Sequence, residues 1–222
     1  MDRIKYSIII PTLNEGRTIY KVISSIPPAI RKESEVIVVD GLSTDDTVEN
    51  SRRGGARVVI ETQSGKGVAI IRGLNAAKGE FAILIDGDGS MNPQDISRLA
   101  SAVKGHDLVI GSRFLGRPMD VGPVHFMGNF VHNKAASLLF LRRITDINSG
   151  FKAIRIGMAR RLPIKSKGFE IEAEILLETL KMGGKVKEIP ISTAKREYGQ
   201  AKISSLRDGF RILLKILEIR MR

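Results

Sequence analysis

The 222-residue sequence has no Cys, no Trp and only three His, and aromatic residues make up 5% of it. Without Cys there is no disulfide framework, no thiolate metal site and no Cys nucleophile, and the lack fits a reducing compartment. Scarce aromatics argue against a single-stranded nucleic-acid surface, which interleaves basic residues with stacking rings. Long apolar runs are missing as well. The longest uncharged stretch, Val121 to Asn133, contains Gly, Pro, His and Asn, far short of the roughly 18 apolar residues of a membrane span. The opening MDRIKYSIII mixes charges ahead of a β-branched run, which is not the pattern of a secretory signal. What is left, 42% hydrophobic and 27% charged, is the composition of a globular protein with room for a sizeable core.

Acidic residues are also few, 24 against 36 Lys and Arg, for a net charge of +12. The imbalance is local. Residues 1–111 hold 14 basic and 14 acidic side chains, whereas residues 112–222 hold 22 basic and 10 acidic. A polyanionic partner is implied for the second half: nucleic acid, an anionic membrane surface or a phosphorylated substrate.

The first half alternates β-branched runs with helix-like stretches. Ile4–Ile10, Val36–Asp40, Arg57–Ile60, Phe81–Asp86 and Asp107–Gly111 predict strands whose near-continuous Ile, Val and Leu imply burial on both faces. Glu15–Ile26, Asp45–Arg53, Lys66–Lys78 and Asp95–Lys104 predict helices stopped by Pro or Gly. That alternation predicts an α/β fold with a mostly parallel sheet. In the second half, Ser112–Phe126 predicts a long loop. Gly128–Leu141 and Glu170–Met182 predict helices, and Phe151–Arg155 and Val186–Ile191 strands. Phe126, Phe130, Leu138 and Phe140 are expected in the core rather than in a lipid groove. A last helix, Ser205–Arg222, carries Leu206, Phe210, Leu213, Leu214 and Leu217 as an apolar stripe flanked by Arg207, Arg211, Lys215, Arg220 and Arg222. The pattern suits a membrane interface or a packing face.

Open parallel sheets bind ligands beyond the C-terminal ends of their strands, and the polar motifs fall there. Asp86-Gly87-Asp88-Gly89-Ser90 follows the fourth strand. In extended chain, residues i and i+2 share a side, so Asp86 and Asp88 can aim two hard oxygen donors at one Mg²⁺ or Mn²⁺ shared with a diphosphate. Met91 and Ser97 stand where an EF-hand needs Gly and Glu, and no Walker spacing precedes Gly65-Lys66. Asp40, at a strand tip, suits hydrogen bonds to a ribose or base, or a helix cap. Gly65-Lys66-Gly67 opens a helix whose N–H groups suit a phosphate. Asp146, Glu170 and Glu172 are the candidates if a general base is required.

These motifs form an ordered series: IIIPTLNE (8–15), VIVVDGLSTDDT (36–47), SGKGVAIIRGLNAAKGE (64–80), AILIDGDGSMNPQDI (82–96), IGSRF (110–114), TDINSGFKAIR (145–155), GFEIEAEIL (168–176) and REYGQAK with RDGFRIL (196–202, 207–213). The series, which covers nearly the whole chain, resembles the family 2 glycosyltransferases of GT-A fold, and most closely their dolichol-phosphate mannose synthase-like, polyprenyl-phosphate hexosyltransferase branch. The resemblance implies one GT-A domain over 1–222, with a nucleotide-sugar and metal half (1–111), an acceptor half (112–203) and a basic amphipathic helix (204–222). It implies inverting, metal-dependent transfer of a hexose from a GDP-mannose or UDP-glucose/GlcNAc type of donor to a polyprenyl or dolichyl phosphate.

Pro11, Leu13, Glu15 and Asp40 match the positions that hold base and ribose, Lys66 lies near the diphosphate, and Asp86 and Asp88 match the D-x-D metal motif with Ser90 as a third contact. Arg113, Arg196 and Lys202 match basic residues around the diphosphate and acceptor phosphate, Ser149 matches the acceptor wall, and Glu172 is a catalytic candidate. The sequence departs from the pattern at Gly41, where many members have a second Asp, and at Ala201, where Ser is usual. The expected setting is the cytoplasmic face of a membrane, with an anionic membrane surface, a membrane protein or a second copy as partners and no nucleic acid. A soluble enzyme using a small phosphorylated acceptor, of the glucosyl-3-phosphoglycerate synthase type, is the alternative, and a non-enzymatic anion- or membrane-binding module is a remote one.

Overall fold

The computed structural model describes residues 4–115, 123–193 and 207–222. Strand β1 (Tyr6–Thr12) leads through two short helices, α1 (Ile19–Ser24) and α2 (Pro28–Lys32), into β2 (Ser34–Asp40). Helix α3 (Thr47–Arg53), β3 (Arg57–Ile60), α4 (Lys66–Ala76) and β4 (Phe81–Leu84) follow. Then come α5 (Ile96–Ala102), β5 (Leu108–Ser112), α6 (Pro123–Leu139), β6 (Lys152–Arg155), α7 (Ile156–Ala159), α8 (Ile171–Lys181), β7 (Val186–Pro190) and α9 (Arg207–Met221). The seven strands lie in the order β3-β2-β1-β4-β6-β5-β7. Only β6 runs against the others, slotted antiparallel between β4 and β5.

All seven expected strands are present, β3 with the expected bounds and the others with shifted ends. Strand β1 runs on to Thr12 because its register with β2 continues to the Thr12–Asp40 pair. The helix expected over Glu15–Ile26 is shorter: it begins at Ile19 after a Glu15–Thr18 turn, and the chain re-enters a helix behind Pro27 with Pro28 at its first position, where a missing N–H costs nothing.

Side-chain alternation sorts the strands between two apolar layers. Ile9, Ile37, Val39, Leu84 and Ile110 face α4, α7, α8 and α9, while Ile8, Ile10, Val36, Val38 and Ile83 face α1 and α5. Strand order reverses at β1 and β4, because β2 and β3 lie to one side and β6, β5 and β7 to the other. Such a switch point opens a crevice beyond the strand ends. The segments that follow β1, β2 and β4 there are Leu13–Gly16, Gly41–Asp45 and Ile85–Ser90.

The last helix does not present a single apolar stripe. Ile212, Ile216 and Ile219 are buried, while Phe210, Leu214, Leu217 and Met221 are exposed. Nor are Phe126, Phe130 and Leu138 core residues, since all three are exposed; Phe140 is half-buried against the core. Lys215 is not a free flanking cation either: it lies against Glu174 of α8 at 3.7 Å and Glu218 at 2.7 Å. Among the described residues no helix is long and apolar enough to cross a membrane.

Candidate active site

Asp86 and Asp88 lie past the end of β4, in a turn rather than in extended strand, so it is the turn, not strand alternation, that presents them. Gly89 has φ +74, a conformation that favours Gly. Thr18 ties the turn to α1 by donating to the Gly87 carbonyl at 2.7 Å. The Asp88 carboxylate accepts from the backbone N–H and hydroxyl of Ser90 at 3.0 and 2.7 Å, so Ser90 positions Asp88. Asp86 meets the Lys66 ammonium at 2.6 Å. A Cβ on Gly150 would stand 2.6 Å from the other Asp86 oxygen and 2.9 Å from Lys66 Nζ. Only glycine lets the loop before β6 approach this pair so closely.

Lys66 begins α4, behind Gly65 at φ +130. Besides Asp86 it reaches Glu172 of α8 at 3.0 Å, and the other Glu172 oxygen accepts from Lys152 of β6 at 2.6 Å. Lys152 also donates to the Ser149 carbonyl. The result is a row of alternating charges, Asp86, Lys66, Glu172 and Lys152, whose inner end is wholly enclosed: Lys152 is 0% exposed and Glu172 2%. Burial alone would pull Lys66 down, but Asp86 and Glu172 outweigh it and hold the ammonium above the ordinary lysine range. Burial alone would raise Glu172, yet Lys152 and Lys66 outweigh it and keep the carboxyl below the ordinary glutamate range. Burial outweighs Glu172 and draws Lys152 below the ordinary lysine range; its 2.6 Å contact with a carboxyl that is itself held low supports a charged pair.

Arg113, just past β5, grips Asp146 through two parallel bonds of 2.7 Å, and its backbone N–H adds a third at 2.9 Å. Burial would lower the guanidinium, but Asp146 outweighs it, with Asp86 and Glu172 contributing from further off. Arg113 therefore borders the same crevice. The loop carrying Asp146 is fixed by Glu188 of β7, which accepts from the N–H groups of Thr145 and Asp146, and by Asn133 of α6, which bonds Thr145 and Ile147. Ser149 is fully buried, and its hydroxyl donates to the Gly111 carbonyl at 2.6 Å. It shapes the wall through the backbone, and Gly150 is the residue that meets the charged row.

At the tip of β2, Asp40 is 1% exposed and accepts from Thr12 and from the hydroxyl and N–H of Ser43. Pro11 lies in β1, and Leu13 and Glu15 follow it beside Asn14, whose φ is +53. Asn14 and Ser43 lock the β1 and β2 loops together at 2.8 Å. Arg196 and Lys202 lie outside the described residues.

Sequence reasoning passed over Lys152 and its partnership with Glu172. Its only signal is a lysine inside the otherwise apolar strand FKAIR, which needs a buried counter-charge.

Two carboxylates, one turn and a hydroxyl on one of them suit a divalent ion that takes its remaining ligands from a diphosphate and water. They do not form an all-protein cage, and among the described residues no cluster of three or more His, Cys, Asp or Glu is present.

Comparison with known proteins gives the family and the fold. The chain is 33% identical to Glycosyltransferase AglJ of Haloferax volcanii over 215 residues, 94% of this chain and 70% of that protein. It is 30% identical to Undecaprenyl-phosphate mannosyltransferase of Micrococcus luteus over 210 residues, 88% of this chain and 86% of the relative. Among solved structures, glucosyl-3-phosphoglycerate synthase from Mycobacterium tuberculosis, in complex with Mn²⁺, uridine diphosphate and phosphoglyceric acid, superposes with a TM-score of 0.80. It is 26% identical, over 97% of this chain and 78% of that one. The fold is GT-A. The sequence pattern of glycosyl transferase family 2 matches residues 7–162, most of the chain, and the protein belongs to that family of enzymes.

Proposed function

We propose that the enzyme moves a hexose from a nucleoside diphosphate sugar to a polyprenyl phosphate, with inversion at the anomeric carbon. The observation that carries this reading is the condition of the carboxylates beside the crevice. A sugar hydroxyl must lose a proton to attack, which needs an available base. Of the three candidates, Asp146 is held by Arg113 on both oxygens and Glu172 is engaged by Lys66 and Lys152, while Glu170 turns back to accept from the Gly168 N–H at 3.2 Å and keeps its second oxygen without a hydrogen-bond partner among the described residues. A phosphate acceptor arrives already anionic near neutral pH and needs cations instead. Arg113 and Lys66 are already engaged by Asp146, Asp86 and Glu172, so the cations for it are sought among Lys134, Arg117, Arg196 and Lys202, in the half of the chain that carries the whole charge excess.

In this reading Asp86 and Asp88 hold a Mg²⁺ or Mn²⁺ ion, with Ser90 fixing Asp88. The ion supplies Lewis-acid stabilisation of the departing nucleoside diphosphate. Lys66, at the N-terminus of α4, faces the same diphosphate with the helix dipole behind it. Glu172 is a positioning residue that orients Lys66 from below. Pro11, Leu13, Glu15 and Asp40 hold base and ribose, and the Ser149-Gly150 backbone bounds the acceptor side. The relative named Undecaprenyl-phosphate mannosyltransferase supports the acceptor class. The setting proposed is peripheral, at the cytoplasmic face of an anionic membrane.

A second reading, transfer to a small phosphorylated acceptor, is favoured by the likeness to glucosyl-3-phosphoglycerate synthase. One experiment separates the two. With labelled GDP-mannose, UDP-glucose or UDP-GlcNAc and Mn²⁺, label passing into the organic phase with polyprenyl phosphate supports the first reading. Label that stays aqueous and appears only with 3-phosphoglycerate supports the second.

A further inference from the structure

Among the described residues, three other than glycine stand in the left-handed backbone region: Asn14 at φ +53, Leu42 at +64 and Leu141 at +49. Asn visits that region because its short polar side chain bonds locally, whereas a bulky apolar side chain is strained there. Leu141 has an ordinary reason: it closes α6, and the Arg142 N–H behind it returns to the Ser137 carbonyl at 3.2 Å, the usual left-handed helix ending. Leu42 ends no helix. It stands two residues past β2, and its side chain is 54% exposed. The fold therefore carries both a strained backbone and a large apolar group in water at one residue.

The conformation is imposed from both sides. Asp40 accepts from the Ser43 N–H at 2.9 Å and from its hydroxyl at 2.5 Å. Asn14 donates its backbone N–H to the Ser43 hydroxyl and accepts from the Thr44 N–H, each at 2.8 Å. A glycine lies next door, where its freedom is not used. Gly41 is outside the left-handed region, and a Cβ on it would meet only the Thr12 carbonyl at 3.5 Å and Leu13 Cδ1 at 4.0 Å, ordinary contacts. A side chain fits at 41 and glycine suits 42; the sequence has them the other way round.

That order makes a shelf. With no side chain at 41, Leu13, itself 42% exposed, lies close over the bare backbone, and Leu42 follows on the other side. The shelf is at the tip of β2, beside buried Asp40, at the switch point of the sheet. Strain that the surroundings over-determine, at such a place, points to a ligand contact. Two leucines suit the apolar ring faces of a nucleoside and offer nothing to a diphosphate.

We infer that Leu42 is a donor-binding residue, held in a strained conformation so that with Leu13 it packs against the nucleoside and not the diphosphate. The inference rests on the nucleoside diphosphate sugar donor of the proposed function.

Two variants of the full chain test it. Leu42→Ala removes the side chain and keeps the strain; Leu42→Gly removes both. Without ligand, Leu42→Gly should melt above Leu42→Ala. In titration calorimetry with Mn²⁺, both variants should bind GDP or UDP, whichever the wild type binds, about five- to tenfold more weakly, while inorganic pyrophosphate binds all three proteins alike. In the transfer assay both should raise the donor KM more than they lower kcat, because the contact is the same before and during the reaction. Nucleotide bound by Leu42→Ala as tightly as by the wild type overturns the inference. Pyrophosphate weakened as much as nucleotide also overturns it, since the loop and not a nucleoside contact has then been lost. Leu42→Gly melting below Leu42→Ala removes the strain from which the inference starts. A wild-type protein that binds pyrophosphate but neither GDP nor UDP refutes the proposed donor instead.

Discussion

Replacing Glu172 by Gln separates a structural carboxylate from a catalytic one. Its two oxygens meet Lys66 at 3.0 Å and Lys152 at 2.6 Å, and both Glu172 and Lys152 are enclosed. Gln is nearly isosteric but neutral, so it leaves the Lys152 ammonium with no counter-charge in the core. Breaking a buried ion pair from one side costs about 3–5 kcal/mol. For a chain of this length each kcal/mol lowers Tm by about 2–4 °C, so a fall of roughly 6–20 °C is expected in a calorimetric or circular dichroism melt. Removing both partners, as Glu172→Leu with Lys152→Met, should recover most of the loss, because an apolar pair of similar volume replaces an ion pair at little cost.

The pH dependence has a definite sign. A carboxyl held below its ordinary value contributes stability above the unfolded value near 4.5, and that contribution is lost as pH falls through the folded value. The wild type should therefore lose more stability on acidification than the double variant. The reasoning is refuted if Glu172→Gln melts like the wild type yet abolishes transfer. That pair of results, with nucleoside diphosphate binding unchanged, would make Glu172 the base for a hydroxyl acceptor rather than the residue that positions Lys66.

Other substitutions probe the remaining parts. Asp88→Ala should lower sugar transfer by at least about a hundredfold and remove the thermal stabilisation given by Mn²⁺ with nucleoside diphosphate, while the unliganded melt stays near that of the wild type. Full activity in the presence of a chelator would contradict the D-x-D reading. Gly150→Ala puts a methyl 2.6 Å from Asp86 and 2.9 Å from Lys66; titration calorimetry should show weakened binding of Mn²⁺ and donor together. Lys66→Met frees Asp86 of its ammonium, so Mn²⁺ alone should bind more tightly by electron paramagnetic resonance while nucleoside diphosphate binds less tightly. Burial holds His132 below its ordinary 6.5, so the folded state disfavours its charge. Stability should rise as pH increases through the folded value towards 6.5, and a His132→Asn variant should show a flatter Tm profile over that range.

Strand periodicity, Pro and Gly punctuation and polar strand ends are local properties, and they were sufficient for the seven strands, the α/β class and the place of the crevice. The motif series was sufficient for the family, because its glycines and acids stand in fixed order along the chain. The charge split between residues 1–111 and 112–222 was also plain from composition alone. Pairings between distant segments were not legible. Nothing near Lys152 in sequence announces Glu172, twenty residues on, and Asp146 looked as suitable a base as any until Arg113 closed on it. The side of α9 that is buried was undecided for the same reason. An amphipathic period reports that a face is apolar, not which neighbour covers it. Packing against α8 and the core took up the Ile212, Ile216 and Ile219 row, and the second apolar row beside α6 was left to the surface. Short-range chemistry determined the family and the crevice. Long-range packing decided which of the carboxylates were neutralised.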